Sequence, residues 1–243
     1  MTEPVYADEA AFLADYDMRR FKVPLFSIDM VIFTIRDGRL QALLVYRELF
    51  PHRSQWSLPG GFVDVGNDIN LEAAARRKLT EKTGLATPYL EQLSTVGNNT
   101  RDPRGWSVTT VYFALVNGEK VVTKGEGVRW VDVDDPLMDE LAFDHSQLFA
   151  AALERLRNKV TYTALPVHLL PDEFTLAELK EVYEIVLQQP VDKSAFRRRF
   201  AQAGNIEPLE GKKRMASNRP AQLYRTVPGQ AEFFFERSLI SGK

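Results

Sequence analysis

Residues 174–204, FTLAELKEVYEIVLQQPVDKSAFRRRFAQAG, carry start and stop signals for two helices, and few other structures would satisfy all of them at once. Thr175 with Glu178 three residues on is a capping box, in which each side chain answers the other's backbone N–H. Phe174 and Leu179 form the matching hydrophobic staple. A helix therefore starts at Thr175 and runs to about Leu187. QQP breaks it, because proline brings no N–H and pushes its predecessor out of helical space. Asp192 caps the next helix, Val191 staples onto Phe196, and Gly204 ends it in a left-handed conformation that costs glycine little.

Helix, short turn and second helix are the helix-turn-helix plan, whose second helix enters the major groove of DNA. At roughly 100° per residue, Phe196, Phe200 and Ala203 lie along one stripe and face the core. The opposite face carries Ser194, Arg198 and Gln202, with Arg197 at its edge. Arginine and glutamine suit guanine and adenine edges, whereas Lys193 and Ser194 at the helix start suit phosphate. Beyond Gly204, EPLEGKKRMASNRPAQLYRTV reads as a basic β-hairpin, or wing, with Lys212, Lys213, Arg214, Asn218 and Arg219 as further DNA candidates. The competing reading is a helical packing domain with a basic surface.

Charge supports two modules. Residues 1–156 hold 17 Lys and Arg against 23 Asp and Glu, a net −6, and residues 157–243 hold 14 against 10, a net +4. An acidic front and a basic back suggest that the second module faces a polyanion. The absence of cysteine excludes disulfides and thiolate metal sites. The opening MTEPVYADEAAFLADYD is acidic with no apolar signal core, and no run of about eighteen apolar residues occurs, so the expectation is a cytoplasmic protein with no membrane partner.

The front module reads as mixed α+β. LFSIDMVIFTI at 25–35 and LQALLVY at 40–46 are β-rich runs joined by the turn signal RDG. A helix is expected over 70–82, with Leu71, Ala75 and Leu79 inward and Gly84 at its end, and strands at 90–97, 107–116 and 127–133. HSQLFAAALERLRN at 145–158 reads as a helix with Leu148, Ala152 and Leu156 inward. VTYTALPVHLLPDE at 160–173 carries two prolines and is the expected junction, which gives domains at 1–156 and 157–243.

GGFVDVGNDINLEAAARRKLTEKTGL at 60–85 resembles the Nudix box, G-x5-E-x7-R-E-U-x-E-E-x-G-U with U apolar. Arg77, Leu79, Glu81, Gly84 and Leu85 fall on its arginine, apolar, first-glutamate, glycine and final apolar places. Gly61 falls on the opening glycine once two extra residues are allowed between Gly66 and Glu72. In that family the box glutamates hold magnesium against a diphosphate. Here Lys78 and Lys82 stand where two of the glutamates would, and the loop glutamate aligns with Asn67 or is displaced. Two ammonium groups four apart share a helical face and repel Mg²⁺. Glu81, alone or with Glu72, would hold a metal only weakly, and pairing with Arg77 is its expected role.

Lysines and glycine backbone N–H groups still suit a diphosphate. NNTRDPRGWSVTTVYFALV at 98–116 resembles the RDPRG stretch of Nudix proteins that handle ADP-ribose and of related regulators. Arg101 and Arg104 are natural phosphate partners, and Asp102 an acceptor for ribose or adenine hydrogens. Arg47, with Trp56 and Phe62 as stacking aromatics, completes the ligand candidates Gly61, Lys78, Lys82, Arg101, Asp102 and Arg104.

With FDHSQLF and the C-terminal winged helix, the whole chain looks like the Nudix-related transcriptional regulators of NAD metabolism, the NrtR family. The resemblance implies a Nudix α/β/α sandwich with a winged helix-turn-helix domain. It implies a bacterial repressor, nucleoid-associated when DNA-bound, that binds a palindromic operator as a homodimer. It further implies ADP-ribose or a related NAD-derived nucleotide as effector, with no cofactor required and no catalytic residues. The alternatives are a magnesium-dependent Nudix hydrolase of ADP-ribose with an accessory basic domain, and a noncatalytic RNA-associated or scaffold protein.

Overall fold

The computed structural model describes residues 5–84, 89–119, 127–216, 219–230, 233–236 and 238–239. The front half contains α1 (Glu9–Asp15), β1 (Leu25–Arg36), β2 (Arg39–Tyr46), β3 (Trp56–Ser57), β4 (Gly60–Phe62), α2 (Leu71–Thr83), β5 (Tyr89–Asn98), β6 (Ser107–Leu115) and β7 (Val128–Asp132). Helix α3 (His145–Tyr162) follows, and then β8 (Phe174–Thr175), α4 (Leu176–Leu187), α5 (Lys193–Ala203), β9 (Ile206–Ala216) and β10 (Arg219–Thr226).

Strand β1 organises the front half. It pairs in parallel with β6 along one edge, and its other edge is shared between β4 at residues 27–29 and β2 at residues 33–36. The RDG turn joins β1 to β2 as expected, with both Asp37 and Gly38 at positive φ, the geometry that matches the twist of a two-residue hairpin. Alternation along β1 buries both faces. Ile28, Met30 and Ile32 point toward Ala74, Ala75 and Leu79 of α2, while Val31 and Phe33 point toward Leu148, Phe149 and Ala152 of α3. The result is an α/β/α sandwich.

The back half follows its caps closely. Thr175 and Glu178 form the reciprocal capping box, Asp192 accepts from the Ala195 N–H at 2.7 Å, and Gly204 ends α5 at φ 66°. Phe196 and Phe200 are buried, and Ala203 is half-buried. Strands β9 and β10 form the wing, which β8 extends to three strands. Asn218, one of the DNA candidates, and Leu85 of the box lie outside the described residues.

The junction is a packed joint. Helix α3 continues past Asn158 to Tyr162, and Thr163–Leu169 are all buried instead of forming an exposed linker. Tyr183 Oη donates to the Thr163 carbonyl at 2.6 Å, and one apolar core runs from Phe33 through Leu156 and Leu165 to Phe196. Pro166 stands at the start of a buried single turn, Leu165–Leu169, where its fixed φ suits the first helical positions.

Candidate functional site

A cavity of about 490 Å³ opens where the start of β1, the end of β2, β4, the 101–106 loop and the start of α3 meet. Glycine builds one wall. At Gly60 a Cβ would fall 2.6 Å from the Ile28 carbonyl, so no larger residue fits, and Gly61 adopts φ 150°.

The cavity brings together Arg47, Gly61, Phe62, Lys82, Arg101, Asp102 and Arg104, but not Lys78 or Trp56. Lys78 lies beneath the glycine wall, where a Gly61 Cβ would be 3.1 Å from its Nζ, and its ammonium is 3.5 Å from Glu81. Trp56 is placed elsewhere by strand alternation: Ser57 faces the cavity, so its neighbour turns to the other side, against Tyr46 and under Arg129.

Most of the cations are already engaged. Arg101 is buried, giving Nε and a terminal N–H to Asp144 at 3.0 and 2.9 Å and reaching Asp29 at 3.3 Å. It forms the cavity floor. Arg104 grips Asp102 at 2.7 and 3.0 Å and lies 5.0 Å over Phe62, and that guanidinium holds the Asp102 carboxyl below the usual carboxylate range. Arg47 donates twice to the Pro51 carbonyl and stacks on Phe143. Among the described residues Lys82 is the lining cation that no protein hydrogen bond or ion pair holds.

Asp29, Phe143 and His145 line the cavity as well, and Asp144 stands behind Arg101. A carboxylate inside the apolar run of β1 was the available signal for Asp29, and FDHSQLF for the others. The His145 Nδ1 accepts from the Leu58 N–H at 3.0 Å, which leaves Nε2 facing Asp29 at 3.6 Å; burial keeps the imidazole below its ordinary pKa.

The carboxylates of the box are engaged by arginines. Asp68, not Asn67, takes Arg77, by two hydrogen bonds of 2.8 and 2.7 Å, and this pairing draws its pKa to about 2. Glu81 pairs with Arg77 at 2.8 Å, as expected, and Glu72 with Arg76 at 2.8 Å. Among the described residues no three His, Asp or Glu side chains cluster as metal ligands.

On the back half, Lys193, Ser194, Arg197, Arg198 and Gln202 are exposed on α5. The wing divides its cations by strand alternation. Lys212 and Arg214 share a face and meet Glu173 and Glu178, each at 2.6 Å, whereas Lys213 between them is exposed on the other face. The backbone of Arg219 pairs with Ala216, and its side chain lies outside the described residues.

Fold and sites together define a Nudix domain joined to a winged helix-turn-helix. The NUDIX domain model matches residues 26–152, and the NrtR DNA-binding winged helix domain model matches residues 166–226. The chain is 48% identical over 237 residues, 96% of this chain and 94% of the relative, to the ADPR responsive transcriptional repressor NtrR of Acinetobacter baylyi. It also superposes on Shewanella oneidensis NrtR complexed with a 27mer DNA, with a TM-score of 0.84 and 44% identity over 88% of this chain and 99% of that one. The NUDIX domain of the same protein complexed with ADP ribose is 47% identical, covers 61% of this chain and 99% of that one, and gives a TM-score of 0.57. This chain belongs to the NrtR family.

Proposed function

We propose that this protein is a transcriptional repressor that binds operator DNA through its winged helix and is controlled by ADP-ribose, or a closely related nucleotide, in the Nudix cavity. The observation that carries the reading is a glycine-walled cavity whose box carboxylates Asp68, Glu72 and Glu81 are spent on arginines, in one core with a helix that exposes Lys193, Arg197 and Arg198. Residues 1–156 hold the effector and residues 157–243 hold the DNA. Binding is to a palindromic operator as a homodimer, in the cytoplasm, upstream of NAD-metabolism genes.

The lining side chains carry four cations, Arg47, Lys82, Arg101 and Arg104, against Asp29, Glu48 and Asp102. That surplus does not neutralise a diphosphate. Arg104 turns part of its fork from Asp102 to the ligand, with Lys82 and the Gly60–Gly61 backbone completing the cradle. Ligand binding then reorganises ion pairs that touch the floor. An effector lowers operator affinity only by its differential affinity for the two states, ordinarily a coupling of about 1–3 kcal/mol.

Catalysis is absent in this reading, because a sensor that destroyed its signal would report it poorly. The test is a gel-shift titration on DNA upstream of NAD genes with and without ADP-ribose, beside an assay of ADP-ribose turnover in magnesium. Operator binding that ADP-ribose weakens, without turnover, is the expected result. Magnesium-dependent turnover with no operator preference would replace the reading by a hydrolase.

A further inference from the structure

Helix α3 is held at each end by an arginine from a different half of the molecule. At its start, the Asp144 carboxylate makes no cap to its own helix and instead takes the Arg101 fork on the cavity floor, with Asp29 as the third member. At its end, the Thr161 carbonyl accepts from Arg199 of α5 at 3.4 Å and from the Leu239 N–H at 2.6 Å. The arginine lies where the helix dipole is negative. Eighteen residues span about 27 Å between these two anchors.

The C-terminal segment tightens the second anchor. The Ala164 N–H donates to the Phe233 carbonyl at 2.9 Å, and the Phe235 N–H to the Tyr162 carbonyl at 2.8 Å. Phe235 packs edge-on against Phe200 of α5, and the Arg199 guanidinium stacks on its ring at 4.0 Å. Arg199 is thus half-buried between α3 and the tail, while its neighbours Arg197 and Arg198 are exposed. It occupies the DNA-reading helix without sharing its exposed face.

We propose that Arg199 is a positioning residue, which fixes the reading helix to the end of α3, and that α3 with Arg101 at its other end is the strut by which the cavity acts on DNA binding. This rests on the effector-controlled reading above. Arg101 is then a lever and not a phosphate ligand. When a ligand rearranges the floor ion pairs, the start of α3 shifts, and a rigid helix clamped at its far end carries that shift to α5.

The experiment measures two affinities on purified full-length protein: ADP-ribose by calorimetry, and an operator duplex by fluorescence anisotropy with and without saturating ADP-ribose. The wild type is compared with Arg199→Ala and Phe235→Leu, the latter keeping the charge and an apolar side chain against Phe200 while removing the aromatic seat. In the wild type the two operator affinities differ by about 5–150-fold for an ordinary coupling. In both variants that ratio falls toward one, while ADP-ribose binding stays within about threefold of wild type and effector-free operator binding changes to the same extent in the two. Arg101→Lys, which keeps charge but loses the two-pronged grip, lowers the ratio in the same way.

A ratio unchanged in Arg199→Ala and Phe235→Leu overturns the strut. Loss of effector-free operator binding in Arg199→Ala alone overturns it too, since Arg199 would then be a DNA contact. If the wild type itself shows no ratio, the effector-controlled reading has failed, and the strut with it.

Discussion

Asp68 and Arg77 are joined by two hydrogen bonds, Nε to Oδ1 at 2.8 Å and a terminal N–H to Oδ2 at 2.7 Å, which tie the box loop to the middle of α2. The lengthened loop thereby keeps a carboxylate for its arginine, one position beyond the aligned Asn67. Arg77 draws the Asp68 pKa to about 2, below its unfolded value of 3.8. A depressed carboxylate stabilises the fold above pH 4 and loses that contribution as pH falls toward 2. Thermal melts of Asp68→Asn against wild type should show a lower midpoint at pH 5, with the gap closing as pH drops from 4 toward 2. A gap constant with pH would contradict the pairing.

The two box lysines should behave differently. Lys82 lines the cavity and Lys78 lies beneath its glycine wall, so Lys82→Glu places a carboxylate against the ligand's phosphates. Losing a charged hydrogen bond costs about 1.5–3 kcal/mol, which is a tenfold or greater rise in the ADP-ribose Kd. Lys78→Glu should cost less. Calorimetry without magnesium measures both, and equal losses would mean that the two side chains share the cavity.

Base reading and phosphate anchoring should separate on the back half. Arg198→Ala should cost about 1–3 kcal/mol on the operator and relax discrimination at one base position. Lys213→Ala should weaken all duplexes alike and reduce the salt slope by about one. Lys212→Ala should do less, because that ammonium is engaged by Glu173. Anisotropy titrations across a range of salt distinguish the three, and a Lys212 effect equal to that of Lys213 would show that the Glu173 pair opens on DNA.

The joint should be sensitive to acid. His168 is buried against Tyr89, its Nε2 has no hydrogen-bond partner among the described residues, and burial lowers its pKa from 6.5 to about 4. The folded state thus resists protonation that the unfolded chain accepts below pH 6.5. Stability should fall as pH goes from 6.5 to 4, by at most about 3 kcal/mol. Urea unfolding at pH 7.5 and 5 should show this loss in wild type and much less of it in His168→Gln. Both halves should also unfold in one transition, since one core crosses the joint.

The Gly84 end of α2, the caps of α4 and α5, the Asp37–Gly38 hairpin and the β-rich run of β1 were legible in the sequence because each depends on residues within about four positions. A helix start is a local hydrogen bond, and a buried face is a local period. Loss of the box carboxylates was legible for the same reason. Partnerships between distant charges were not. In sequence Arg101 reads as a phosphate ligand, whereas in the fold Asp144, 43 residues on, and Asp29, 72 residues back, surround it. In sequence Lys212 and Arg214 read as free wing cations, whereas in the fold Glu173 and Glu178 lie beside them. Proline signalled a linker at 166 and 171, whereas packing between α3 and α4 made residues 163–169 core. Short-range rules place the elements of this protein. Which charges remain free for a ligand or for DNA depends on what the fold brings against them, because neutralising a charge requires a partner in space and not in sequence.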